Sequence, residues 1–261
     1  MRLVDIGANL AHDSFDDDRD AVLERAREAG VEKIVLTGSS DASNRDAALL
    51  AESAPGFLYS TAGMHPHHAS DYTDASDALI RELVSSNRVV AVGECGLDYF
   101  RNFSPRAAQI EAFERQLEIA EESGKPLFLH QRDAHDDFLA IVQPRLGKLG
   151  PAVAHCFTGT ESELKAYVEL DLYIGITGWV CDERRGTELQ MIVGLIPDDR
   201  LMIETDAPYL LPRSIRPRPK SRRNEPMYLP EVLRMVADCR GQSHEHVAEI
   251  TRQNAERFFG L

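Results

Sequence analysis

Short apolar, β-rich runs recur along the chain, separated by longer stretches in which apolar positions fall three and four residues apart. The runs "LVDIG", "KIVLTG", "FLYSTAG", "VVAVGE", "PLFLH", "AVAHC", "LYIGITG" and "LMIETD" read as eight strands. The stretches between them include "DRDAVLERAREAG" (18–30) and "RAAQIEAFERQLEIAEESG" (106–124). Both carry the 3.6-residue period of an amphipathic helix and end on glycine, which leaves a helix through positive φ at little cost. Strand and helix alternating eight times over 261 residues predict an α/β fold, a single (β/α)8 TIM barrel spanning 1–261. A doubly wound open sheet is the competing arrangement, but eight strands without a GxGxxG turn speak against it. The longest irregular stretch, 207–227, follows the eighth strand.

A barrel of this type carries its chemistry at the C-terminal ends of its strands. There the sequence places Glu94 (strand four), His130 (strand five), His155 (strand six) and Asp206 (strand eight), while strand three leads into His65 and His67. A single strand-end histidine is usually a hydrogen-bonded cap. Two imidazoles and two carboxylates converging on one mouth instead call for a divalent cation to offset their charges. Nitrogen and oxygen ligands without thiolate suit Mg²⁺, Mn²⁺ or Zn²⁺. Such a site activates a water and polarises the bond being broken, with Asp206 placed to take or orient the water's proton; an N-cap at "TDAP" is its structural alternative.

Charge adds a second feature. The net charge of −14 argues against general nucleic-acid affinity, yet "PRSIRPRPKSRR" (212–223) holds six cations and no acid. Arg101, Arg132, Arg184 and Arg185 also fall just after expected strands, so the predicted mouth is cationic and suits a polyanion. Arg101, Arg132, Arg184, Arg213, Arg222 and Arg223 are the candidate contacts; a solvated charged loop is the alternative for 212–223. Trp179 could stack on a base or pack the loop after strand seven. Cys95, Cys156, Cys181 and Cys239 form no CxxC pair and are expected as buried, reduced thiols. With no apolar run long enough for a membrane helix and no signal-peptide pattern, a soluble cytoplasmic protein is expected.

The motifs "DIGANL", "STAGMHPHH", "GECGLDYFRNFS", "LHQRDAH", "HCFTGT", "YIGITGWVCDERRG", "IETDAPYLLPR" and "SRRNEP" occur in this order nearly end to end. On these strings the chain resembles the TatD-type metal-dependent hydrolases. That resemblance implies an amidohydrolase-like barrel and divalent-metal-dependent 3′ to 5′ exonuclease action on single-stranded DNA and RNA. It further implies Mg²⁺ as the usual ion, the cytoplasm as location and a link to DNA repair; with no obligate protein partner evident in the sequence, a monomer is expected. It carries the metal ligands onto Glu94, His130, His155 and Asp206, the same four residues. His65, with His67 as the weaker candidate, is expected against the scissile phosphate or the leaving oxygen. A D-aminoacyl-tRNA deacylase, a small-molecule amidohydrolase and a non-catalytic nucleic-acid-binding barrel are the alternatives.

One departure concerns strand one, "VDIGANL", where Asp5, Gly7 and Asn9 share a face. Many relatives have a His-x-His pair where this chain has Gly7 and Asn9, so a second metal site would lack ligands. Asp5 is then expected as a supporting carboxylate, and Asn9 as a donor to a metal-bound water or a phosphate oxygen. Gln131, where relatives often have cysteine, carries no assigned role.

Overall fold

The computed structural model describes residues 1–261. The strands are β1 (Leu3–Ala8), β2 (Val31–Leu36), β3 (Leu58–Ala62), β4 (Val89–Asp98), β5 (Leu127–Arg132), β6 (Ala152–Ala154), β7 (Tyr173–Ile176) and β8 (Leu201–Ile203). They follow one another in chain order in one sheet, with parallel pairing of β3 with β4, β4 with β5, β5 with β6 and β7 with β8. A parallel bridge joins Ala8, at the end of β1, to Ala207, beyond β8. This is the strand order of the expected TIM barrel.

The helices alternate with the strands as the period predicts. The two quoted stretches form α1 (Arg19–Glu28) and α4 (Arg106–Ser123). Gly124 ends α4 at φ 67°, and Gly30, at φ 89°, stands just past the cap of α1. Between them come α2 (Asp41–Ser53) and α3 (Asp74–Val84), opened by Ser40 and Thr73 in reciprocal capping boxes. No helix is long and apolar enough to cross a membrane.

The chain divides into two compact units, Leu36–His155 and the remainder, Met1–Val35 with Cys156–Leu261. In the first, β3 to β6 carry α2 to α4 and α5 (His135–Val142). Phe113 of α4 stacks on Phe138 of α5 at 5.8 Å, and both are fully buried with Phe128 of β5; each ring contributes about 1.5–3 kcal/mol of transfer free energy. In the second unit, Asn254 on the last helix (His244–Phe259) donates to the carbonyls of Asp198 and Leu201, holding the start of β8. The segment from Asp206 to Glu225 contains no helix or strand, so no helix starts at Asp206 for it to cap; the irregular stretch expected over 207–227 ends slightly earlier, at a 3-10 turn over Pro226–Tyr228.

Two expectations are corrected. β4 does not end at Glu94 but runs to Asp98, and Arg132 is the last residue of β5 rather than lying beyond it. The strands are longer because β4 and β5 stay paired through Asp98↔Arg132. Of the four cysteines, Cys95 and Cys181 are buried, whereas Cys156, at positive φ, and Cys239 are half-buried; all are free thiols.

Candidate metal centre

The extension of β4 governs the centre. Gly93 and Gly96 have φ of 140° and 142°, and a Cβ on either would fall within contact distance of a β5 carbonyl, that of Phe128 or of His130. Only glycine allows the two backbones this approach. It brings His130 of β5 beside both acids of β4, Glu94 and Asp98. Gly96→Ala is therefore expected to lower stability by about 3 kcal/mol, read as a shift in the denaturant midpoint; an unchanged midpoint would show that the strands can separate locally.

Within this unit three imidazoles converge on one carboxylate oxygen. Oε1 of Glu94 lies 2.7 Å from Nε2 of His155, 3.1 Å from Nδ1 of His130 and 3.3 Å from Nε2 of His65. Glu94, His65 and His155 are all buried. The other nitrogen of His130 lies 3.3 Å from Oδ2 of Asp98, which also meets Nε2 of His67 at 2.9 Å. His65 Nδ1 accepts the backbone N–H of His67 at 3.0 Å, which leaves the His65 proton on Nε2.

The electrostatics follow. Burial opposes the Glu94 charge, but His65, His155 and His130 outweigh it and hold the carboxyl well below its ordinary range. Asp98 is likewise depressed against burial, by hydrogen bonds from His130, His67 and the N–H of Arg101. His130 is raised, because the two carboxylates outweigh its burial. His65 is pushed down to about 4, chiefly by burial, and is neutral at pH 7.

This arrangement fits a divalent cation. His65, Glu94 and His130 each offer a ligand atom, all within 4.8 Å of one another. One carboxylate oxygen has about two lone-pair directions and cannot satisfy three N–H donors well. A cation between imidazole nitrogen and carboxylate relieves this shortage, and Asp98 then orients the His130 ring from behind.

The sequence reading placed His65 at the substrate, and in the structure it lies against Glu94. It had assigned no role to Asp98.

Asp206 and Asn9 lie together in the other unit. Nδ2 of Asn9 donates to Oδ1 of Asp206 at 3.3 Å, and the Asp206 N–H donates to the carbonyl of Gly7 at 2.8 Å. Asp5, fully buried, accepts the N–H of Thr205 at 2.9 Å, its hydroxyl at 2.5 Å and the N–H of Gly7. Burial pushes Asp5 up to about 7 against these three bonds. The polar face of β1 is thus a socket for residues 205–207. Glu204, also absent from the sequence reading, is fully buried and accepts the N–H of Cys156, the residue after His155.

The cationic segment is less free than its sequence implied. Arg213 is held bidentate by Glu183 and Arg184 by Asp182. Arg223 grips Asp18 through both terminal nitrogens and also meets Glu225. Arg184, Arg185, Arg213, Arg218, Lys220 and Arg222 line a cavity of about 560 Å³ against one lining acid, Asp182, and Arg223 is not among its walls. Trp179 forms part of that wall, with the Arg185 guanidinium 4.2 Å over its ring. In the first unit Arg101 and Arg132 both approach the ring of Phe100, at 5.7 and 4.3 Å.

Arg223 acts as a structural clamp on Asp18, which predicts a pH signature. Hydrogen bonds from Arg223, with burial opposing, hold the Asp18 carboxyl at about 2. A depressed carboxyl stabilises the fold above its unfolded value of about 3.9 and loses that contribution as the pH falls through the folded value. Arg223→Ala should therefore lower Tm at neutral pH, with the difference from wild type closing between about pH 4 and 2. A constant difference across that range would exclude the clamp.

Residues 4–260 match the family described as TatD related DNase. The chain belongs to the TatD family. Among TatD relatives, a 3′-5′ ssDNA/RNA exonuclease TatD from Erwinia billingiae (strain Eb661) is 51% identical over 259 residues, covering 99% of each chain. A protein of the same name from Musicola paradisiaca (strain Ech703) is 52% identical, covering 99% of this chain and 98% of that one. Among solved structures, the TatD homolog YjjV of Escherichia coli K12 superposes with a TM-score of 0.90 at 26% identity, covering 100% of this chain and 98% of that one. These likenesses confirm the TIM barrel.

Proposed function

We propose that the protein is a divalent-metal-dependent exonuclease that removes nucleotides from the 3′ ends of single-stranded DNA and RNA. The observation that carries this is the convergence of His65, His130 and His155 on Glu94, in a TatD-family chain about half identical to named exonucleases. Glu94, His130 and His155 would hold the ion, with Asp206, beyond β8, as the further carboxylate ligand that the family pattern assigns. When bound, the ion supplies charge neutralisation at the phosphoryl oxygens and activation of the attacking water.

The chain's own residues do the rest. The neutral His65 ring, its proton fixed on Nε2, donates to a phosphoryl oxygen rather than serving as a strong acid. Asp98 keeps the His130 ring in register and holds His67 in place. Asn9 orients the Asp206 carboxylate. Arg101 and Arg132 on one unit, and the cavity containing Arg222 on the other, take backbone phosphates, so activity falls as salt rises. Mg²⁺ is the proposed ion and the cytoplasm the proposed location, both on the family resemblance, and a monomer is the proposed form.

The test is digestion of a single strand labelled at one end or the other, with Mg²⁺, Mn²⁺ or EDTA. The expected result is immediate release of a 3′ label as mononucleotide, stepwise shortening of the 5′-labelled strand, and silence in EDTA. Release from the 5′ end first, or digestion in excess chelator, would overturn the assignment.

A further inference from the structure

We propose that Phe100 and Phe103 form a stacking platform for the two unpaired bases at the 3′ end of the substrate, a subsite that rests on the nuclease reading above. The chain has ten phenylalanines. Eight are at most 8% exposed, whereas Phe100 is 54% and Phe103 68% exposed, three residues apart on the loop between β4 and α4. Nothing within the fold explains leaving two large apolar rings in water.

The loop that carries them is firmly tied. The Arg101 N–H donates to Oδ1 of Asp98, and the Gln109 amide donates to the carbonyls of Asp98 and Ser104. The Ser104 hydroxyl donates to the carbonyl of His67 and accepts the N–H of Ser70. The rings are therefore presented by a preorganised surface, which lowers the entropy lost on binding.

Their surroundings select the occupant. The Phe103 ring meets His67 at 4.8 Å and 60°, and His67 shares Asp98 with His130, so Phe103 sits one ring away from the metal centre. The Arg132 guanidinium lies over the Phe100 ring at 4.3 Å and that of Arg101 at 5.7 Å, and the ring is still 54% exposed, so ring surface remains for a base. Apolar faces with adjacent guanidinium groups match a flat base joined to a phosphate. A base within a duplex is already stacked and paired, so the platform selects single strands and frayed ends. We assign Phe103 to the terminal base and Phe100 to the next.

The test compares wild type, Phe100→Leu, Phe103→Leu and Phe103→Tyr on two single strands, one ordinary and one abasic at its last two 3′ positions. Stacking of this kind is worth about ten-fold in affinity per base. The expected result is a rise in KM of about ten-fold for each leucine variant on the ordinary strand, with kcat nearly unchanged. Tyrosine should restore wild-type behaviour, and the abasic strand should respond to none of the substitutions. Leucine variants equal to wild type on the ordinary strand would overturn the platform alone. Equal losses on both strands would also overturn it, since they would place the defect at His67. A wild-type enzyme that digests neither strand would overturn the nuclease reading and the platform with it.

Discussion

Glu94→Gln lowers the rate of 3′ digestion by about a thousand-fold or more, with the fold intact. The carboxylate is the single atom group on which His65, His130 and His155 converge, and an amide offers a far weaker ligand to a divalent ion. Loss of several kcal/mol of transition-state stabilisation corresponds to a factor of this size. The substitution is nearly isosteric, but it removes a carboxylate that the imidazoles stabilise against burial, so Tm should fall modestly while the melt stays cooperative. Initial rates on an end-labelled single strand, beside a thermal melt, check both parts; near-wild-type rates would remove Glu94 from the centre.

Asp98→Asn gives the second large effect and differs in kind. Asp98 touches the other nitrogen of His130 at 3.3 Å and is proposed to act through that ring. Losing such an orienting carboxylate typically costs about 10- to 100-fold in metal affinity or activity. Because the ligand set itself remains, raising the metal concentration should recover most of the rate, which it cannot do for Glu94→Gln. Asparagine keeps an oxygen for the Arg101 N–H, so the loop after β4 should hold. Activity measured across a metal titration decides it: a deficit that persists at saturating metal would make Asp98 a participant in the reaction instead.

The contrast between these two acids shows what the sequence could and could not reveal. Glu94 was visible because it follows an apolar run, and His130 and His155 because each follows another. Asp98 was missed because "VGECGLD" contains two glycines and reads as a strand that has ended. In the structure those glycines let β4 and β5 stay paired for several more residues. The signal was present in the even spacing of Glu94 and Asp98, which places both on one strand face.

Charge partners were harder to read. The segment 212–223 looked like an open cationic surface because it contains no acid, but Arg213 is met by Glu183 and Arg223 by Asp18, 30 and 205 residues away. Ion pairs over such separations leave no periodic trace in the chain. The same holds for strand one, whose Asp5 is answered by Thr205. Its polar face was legible as an anomaly; its role as a socket for the segment bearing Asp206 required the fold.

Glu94, His130 and His155, with His65 beside them, are the proposed core of a divalent-metal site. Calorimetric titration of Mn²⁺ into chelator-treated wild type and Glu94→Gln at neutral pH tests it most directly. Saturable binding in wild type, weakened at least about 100-fold in Glu94→Gln, is the predicted result. Equal binding by the two proteins, or none by wild type, would contradict it.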